Sequence, residues 1–147
     1  MGLKFYLPVA VVVFLAATVG SDVVALMSIA GESFEVALRE HVYWVGVEFA
    51  GTLLLLVPFI AVAFTSAHWE SRAGQHVSAL IFAIAMLALL YFYFQAYQAA
   101  QIAAQAKRWT AATLSIGLLP FLIGFPVVIA AWAAEAVAST FQRRASD

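Results

Sequence analysis

Residues 77–94 read VSALIFAIAMLALLYFYF, a run from Val77 to Phe94 without a charged side chain. At 1.5 Å per residue, a helix of this length extends about 27 Å. A bilayer presents roughly 30 Å of hydrocarbon and needs about 20 mostly apolar residues to cross it. The run carries no polar stripe of the kind that turns a soluble helix towards water. Downstream, residues 95–106 continue as QAYQAAQIAAQA, where alanine and glutamine favour helix and no breaker intervenes. The sequence therefore predicts a helix over about 77–106 that projects two or three turns past the hydrocarbon.

Three more stretches have the same character. One runs from about Phe5 to Ala30, interrupted only by Asp22; a second from Val42 to Phe64 encloses Glu48; a last one from Ala111 to Val137 contains Pro120 and Pro126. None alternates with the period of two that transmembrane strands require. Lipid leaves the backbone no external hydrogen-bond partners, so helices remain. The predicted fold is an all-α integral membrane protein. It is a single domain over residues 1–147, an antiparallel bundle of four transmembrane helices at about 5–30, 42–64, 77–106 and 111–137. Pro58, Pro120 and Pro126 cannot donate to the carbonyls of Leu54, Ile116 and Leu122, and kinks are expected there.

Composition agrees with lipid as the surrounding solvent. Apolar residues make up 65% of the 147, charged residues only 10%, and mean hydropathy is +0.99. Soluble domains carry roughly 25% charged residues. A net charge of −1 supplies no basic face, which argues against nucleic acid as a partner. The chain has no cysteine, so disulfides, thiolate metal sites and cysteine nucleophiles are excluded. Lys4 followed by an apolar run to Ala17 resembles a secretory signal. Apolar character resumes after Asp22, however, and the segment reads as the first membrane helix.

Basic residues near helix ends set orientation. Lys4, Arg72, Arg143 and Arg144 fall on the side of the termini, against Arg39, Lys107 and Arg108 on the other. The expectation is a bacterial inner (plasma) membrane protein with both termini cytoplasmic. A short echo links Leu56-Val57-Pro58-Phe59-Ile60 to Leu118-Leu119-Pro120-Phe121-Leu122, although such runs arise easily by chance in membrane chains.

Ionisable groups inside spans are costly and call for a reason. Asp22 and Glu48 lie at matched depth, roughly 9–12 Å from the same boundary at 1.5 Å per residue. Together they form a candidate intramembrane polar site that could share a cation or a proton. The plainer readings are hydration at the interface or a salt bridge to Arg39, Lys107 or Arg108. His41, Trp44, Glu48 and Thr52 recur at spacings of three and four, on one helical face. Trp44, Trp69 and Trp109 read as interfacial anchors.

Tyr91, Gln95, Gln98, Gln101 and Gln105 form a stripe on the third helix, opposite a face of alanines. Amides bond across helices and alanines permit close approach, so the stripe suits an interface or a pore lining. Simple solvation of an emerging helix accounts for it equally well. His68, Glu70 and His76 are weak metal candidates, since their spacing matches no metal-binding motif, and no metal or other cofactor is expected.

No phosphate loop, nucleophile elbow or zincin helix occurs, no catalytic residue can be named, and an enzyme is not expected. The leading expectation is a small non-enzymatic membrane protein. It would act as a homo-oligomer, either a channel-like effector or a membrane anchor for a soluble or membrane protein partner. One alternative is an ion- or proton-coupled transporter, or a subunit of one, using Asp22 and Glu48. Another is a cytochrome-like subunit holding haem between His68 and His76.

Overall fold

Chain direction is set by a few residues that stop helices, because almost every other residue favours them. The computed structural model describes residues 2–146, and every regular element among them is helical. Helix α1 (Leu3–Ala30) ends where Gly31 takes φ 74°, a left-handed conformation that glycine adopts without steric cost. Two π-helical turns, Ala16–Gly20 and Leu26–Ala30, bracket the segment Ser21–Ala25. Each such turn admits an extra residue and swings the following side chains round the axis. Asp22 lies between them.

The connection expected from Gly31 to His41 is mostly helix. Helix α2 (Phe34–Val47) starts at Ser33, whose hydroxyl accepts from the Val36 amide at 3.5 Å. It stops at Glu48, where φ is −108° and ψ 40°. The span expected over 42–64 is therefore divided, and helix α3 (Phe49–Ala73) carries its apolar part. Val42, Val45, Gly46 and Val47 weaken the helix just before the break. The Glu48 carboxylate also gains from standing ahead of the first turn of α3.

Gly74, at φ 88°, turns the chain into α4 (Gln75–Gln105), which reaches almost as far as expected. Its 31 residues span about 46 Å. The chain reverses through Ala106–Arg108, with Lys107 at φ 57° and its amide closing on the Ala104 carbonyl at 2.9 Å. Helix α5 (Trp109–Arg144) is interrupted near Leu118 and widens into a π-helical turn at Pro120–Gly124. Pro120 has no amide to bond back, which is the physical origin of that irregularity. Pro58 sits instead within an unbroken α3.

Helices α1, α3, α4 and α5 are each long and apolar enough to cross a membrane. Their outer faces remain apolar, with Val12, Leu87, Leu122 and Ile129 all exposed. Inside, Phe14, Phe59 and Tyr93 meet edge to face, with ring centroids 5.5 and 5.1 Å apart. The Tyr93 hydroxyl donates to the Leu55 carbonyl at 3.1 Å, tying α4 to α3. Leu89, Met86 and Phe82 complete this apolar middle layer. The two proline motifs meet within the bundle, where Gly124 packs directly on the ring of Pro58.

That close approach needs the missing Cβ. Gly124→Ala should lower stability by about 1–3 kcal/mol through overpacking, read as a reduced thermal midpoint in detergent. Gly51→Ala, in open space, should leave the midpoint unchanged or slightly raised. Equal midpoints for the two variants would contradict the contact.

Candidate functional site at Asp22 and His41

On α2, Ala37 and His41 are four residues apart and are the two buried positions of that helix. Ala37 packs on Val23 and Leu26 of α1, with Val19 and Ala30 at the margin, as a small apolar cluster separate from the main core. This docking carries the His41 ring against Asp22. Nδ1 of His41 lies 2.7 Å from Oδ2 of Asp22, and the two side chains are only 7% and 13% exposed. A third helix joins them, as the Gln101 amide of α4 donates to the other Asp22 oxygen at 3.4 Å.

The local backbone is arranged to keep the remaining polar groups occupied. Thr18 donates to the Phe14 carbonyl at 2.8 Å, and Ser21 to that of Ala16 at 3.4 Å. Both contacts lie around the first π-helical turn and take up carbonyls that its wider winding exposes. Two enclosed nitrogens are left without a partner, Nε2 of His41 and the amide nitrogen of Gln98. Buried donors and acceptors are normally satisfied, so both are notable.

The chemistry follows from the pairing. A carboxylate can only accept, so Nδ1 carries the hydrogen, and Nε2 is the atom free to gain or lose a proton. The pair is neutral with the imidazole protonated and carries one negative charge without that proton. A carboxylate behind one ring nitrogen also fixes the tautomer and the orientation of the ring, the arrangement found behind metal-ligating histidines. Among the described residues, however, no three His, Cys, Asp or Glu side chains come close enough together to hold a metal ion.

The residues singled out by sequence are distributed as follows. Asp22 and Glu48, predicted to share one site, have different surroundings. Glu48 is exposed at the α2–α3 break, although Tyr97 lies within electrostatic reach of both carboxylates. Had the helix run unbroken through Glu48, that residue and His41 would have shared a face. The break turns α2 aside and delivers His41 instead. The glutamine stripe is divided, with Tyr91, Gln95 and Gln105 exposed, while Gln98 and Gln101 are half-buried on the edge nearer Asp22. His68 and His76 are exposed on either side of Gly74, with the His68 ring edge-on to Trp69 at 5.8 Å. Glu70 is half-buried and accepts from the Gly2 amide at 2.6 Å.

The pairing of His41 with Asp22 is not legible in the sequence, because the weak helix formers at 42–47 lower helix stability without fixing where the helix breaks. The usable signal was the cap at Ser33 followed by Ala37 and His41 at helical spacing. No family model, no curated protein and no solved structure matches this chain.

Asp22→Ala removes the acceptor that holds α2. Loss of a charge-assisted hydrogen bond is worth about 1.5–3 kcal/mol. Amide exchange over residues 34–47 should accelerate by roughly tenfold or more, with α3 unaffected. Unchanged exchange in α2 would contradict the clamp.

Proposed function

We propose that the chain lies across a lipid bilayer as four antiparallel helices, α1, α3, α4 and α5, and handles protons through Asp22 and His41. It would serve as a non-enzymatic, ion- or proton-coupled transporter or a subunit of one. The observation that carries this reading is the enclosed Asp22–His41 pair, with one imidazole nitrogen unpartnered. An acid–imidazole pair has a place for one proton, and its net charge in a medium that penalises charge depends on whether that proton is present. Gln101 gives Asp22 a neutral donor from α4, so a change of charge at the pair would be felt on three helices.

The middle layer around Phe14, Phe59 and Leu89 leaves the interior of one copy filled with apolar side chains. Passage of an ion would therefore need alternating packing of the helices, or a path between copies. Basic residues favour both termini in the cytoplasm of a bacterial cell, which puts Asp22 towards the opposite face. Helix α4, at about 46 Å against roughly 30 Å of hydrocarbon, would project there.

Proton flux into proteoliposomes, followed with an entrapped pH dye, tests the proposal. Asp22→Asn and His41→Gln should each reduce flux at least tenfold while the protein elutes as the wild type does. Glu48→Gln, altering an exposed side chain, should retain most of the activity. Wild-type flux in Asp22→Asn would remove the reading.

A second reading is favoured by one surface. Tyr91, Gln95, Ala99 and Ile102 are all exposed and fall within about 80° of one another round α4 at 100° per residue. A polar and small-residue face of this kind suits self-association, or an anchor for a partner protein. Light scattering in detergent should give a mass of two or more chains, and Ala99→Trp should reduce it to one. A wild-type monomer would end this second reading and leave the first intact.

A further inference from the structure

The other end of the bundle encloses a second acid. Glu135 on α5 is completely buried, among the largest side chains to be so. Three other helices contribute polar groups around it. Ser78 of α4 donates to Glu135 Oε2 at 2.8 Å. Ser66 of α3 is fully buried beside the carboxyl, and Tyr6 of α1, also fully buried, is within electrostatic reach of both Glu135 and Glu70. The Ser66 hydroxyl, the Tyr6 hydroxyl and Glu135 Oε1 each close no hydrogen bond of regular geometry.

Glu135 Oε1 and the Ser66 and Tyr6 hydroxyls are enclosed together, with Ser66 in loose contact with the Glu135 carboxyl and Tyr6 with that of Glu70. The titratable groups facing Glu135 are Tyr6 from α1 and Glu70 from α3, while α4 presents the neutral Ser78. None of these supplies a positive charge. Among the described residues these contacts supply only hydroxyls, and an ionised carboxylate enclosed without a cation bears a desolvation penalty that the Ser78 and Ser66 hydroxyls do not offset. The neutral acid resolves the mismatch, since Oε2 still accepts from Ser78 and a proton on Oε1 gives the site a donor for the Ser66 oxygen.

We propose that Glu135 is a proton-binding site, carried as the neutral acid and exchanging its proton with the terminal end of the bundle by way of Tyr6 and Glu70. A proton taken from water by Glu70 passes to the Tyr6 hydroxyl as that hydroxyl gives its own hydrogen to the Glu135 carboxylate, and the reverse step empties the site. No charge is left on the phenol. Glu70 is half-buried and bonded to the Gly2 amide, so the route opens beside the N-terminus. The site is separate from Asp22. Tyr6 and Asp22 are sixteen residues apart on α1, about 24 Å along its axis, with the aromatic layer between them.

Infrared spectroscopy of the purified full-length protein in lipid, near neutral pH, tests this with deuterium as the probe. The wild type should have a protonated-carboxyl stretch that moves on transfer to D2O. The band should vanish in Glu135→Gln and persist in Asp22→Asn, which separates this site from the transport reading. Ser78→Ala should keep the band but shift its frequency, a readout available even if Glu135→Gln folds poorly. Tyr6→Phe should slow deuterium exchange of the band on the order of tenfold or more, as loss of a proton-transferring group does. A wild-type spectrum without the band, or a band that survives Glu135→Gln, would overturn the site. Unchanged exchange in Tyr6→Phe would overturn the route.

Discussion

A polar group enclosed by apolar helices can bond only to what the bundle itself provides, and the arrangement at both ends follows from that constraint. The outer faces of the four long helices are largely apolar, and each acid that enters the interior is met by a side chain from a neighbour. Asp22 is met by His41 and Gln101. Glu135 is met by Ser78 and stands beside Ser66. Both sets draw on three or more helices, so each acid ties those helices to one another. Between them lies the layer of Phe14, Phe59, Tyr93 and Leu89, where the bonds that matter are aromatic contacts and one hydroxyl–carbonyl link.

The two ends differ in how firmly they are held. Around Glu135 the four long helices pack on one another directly. Around Asp22, α2 rests on a small separate cluster and on its hydrogen bond to the acid. Local opening draws on regions with few buried apolar contacts. An element joined to the bundle mainly through one titratable pair is well suited to move when that pair changes charge, and α1 is already irregular there, with a π-helical turn on each side of Ser21–Ala25.

Much of the fold was legible in the chain. The run from Val77 to Phe94 identified α4, and the alanine–glutamine sequence after it correctly extended that helix to within a residue of its end. Length and apolar content likewise identified α1, α3 and α5, because those properties are local. What could not be read is where continuous helix becomes irregular. The weak helix formers before Glu48 do not by themselves locate a break there, and Pro58 does not break a helix although Pro120 does. These outcomes depend on packing, such as Gly124 against the Pro58 ring, which is a non-local contact. The site suffered in proportion. Asp22 was recognised because an acid within an apolar run is conspicuous. The spacing of His41 and Glu48 suggests a shared face that the break removes, and the surroundings of Glu135 carry no sequence signal, since its neighbours Ser66 and Ser78 are ordinary small residues.

The pairing of Asp22 with His41 is the claim on which the functional account rests, and it is a distance. Solid-state NMR of protein in lipid bilayers, with carboxyl carbons of Asp labelled and imidazole nitrogens of His labelled, measures it directly. The account predicts dipolar coupling from the Asp22 carboxyl carbon to Nδ1 of His41 at a separation of about 3–4 Å, as a hydrogen bond requires. Absence of that coupling in a folded sample would contradict the account.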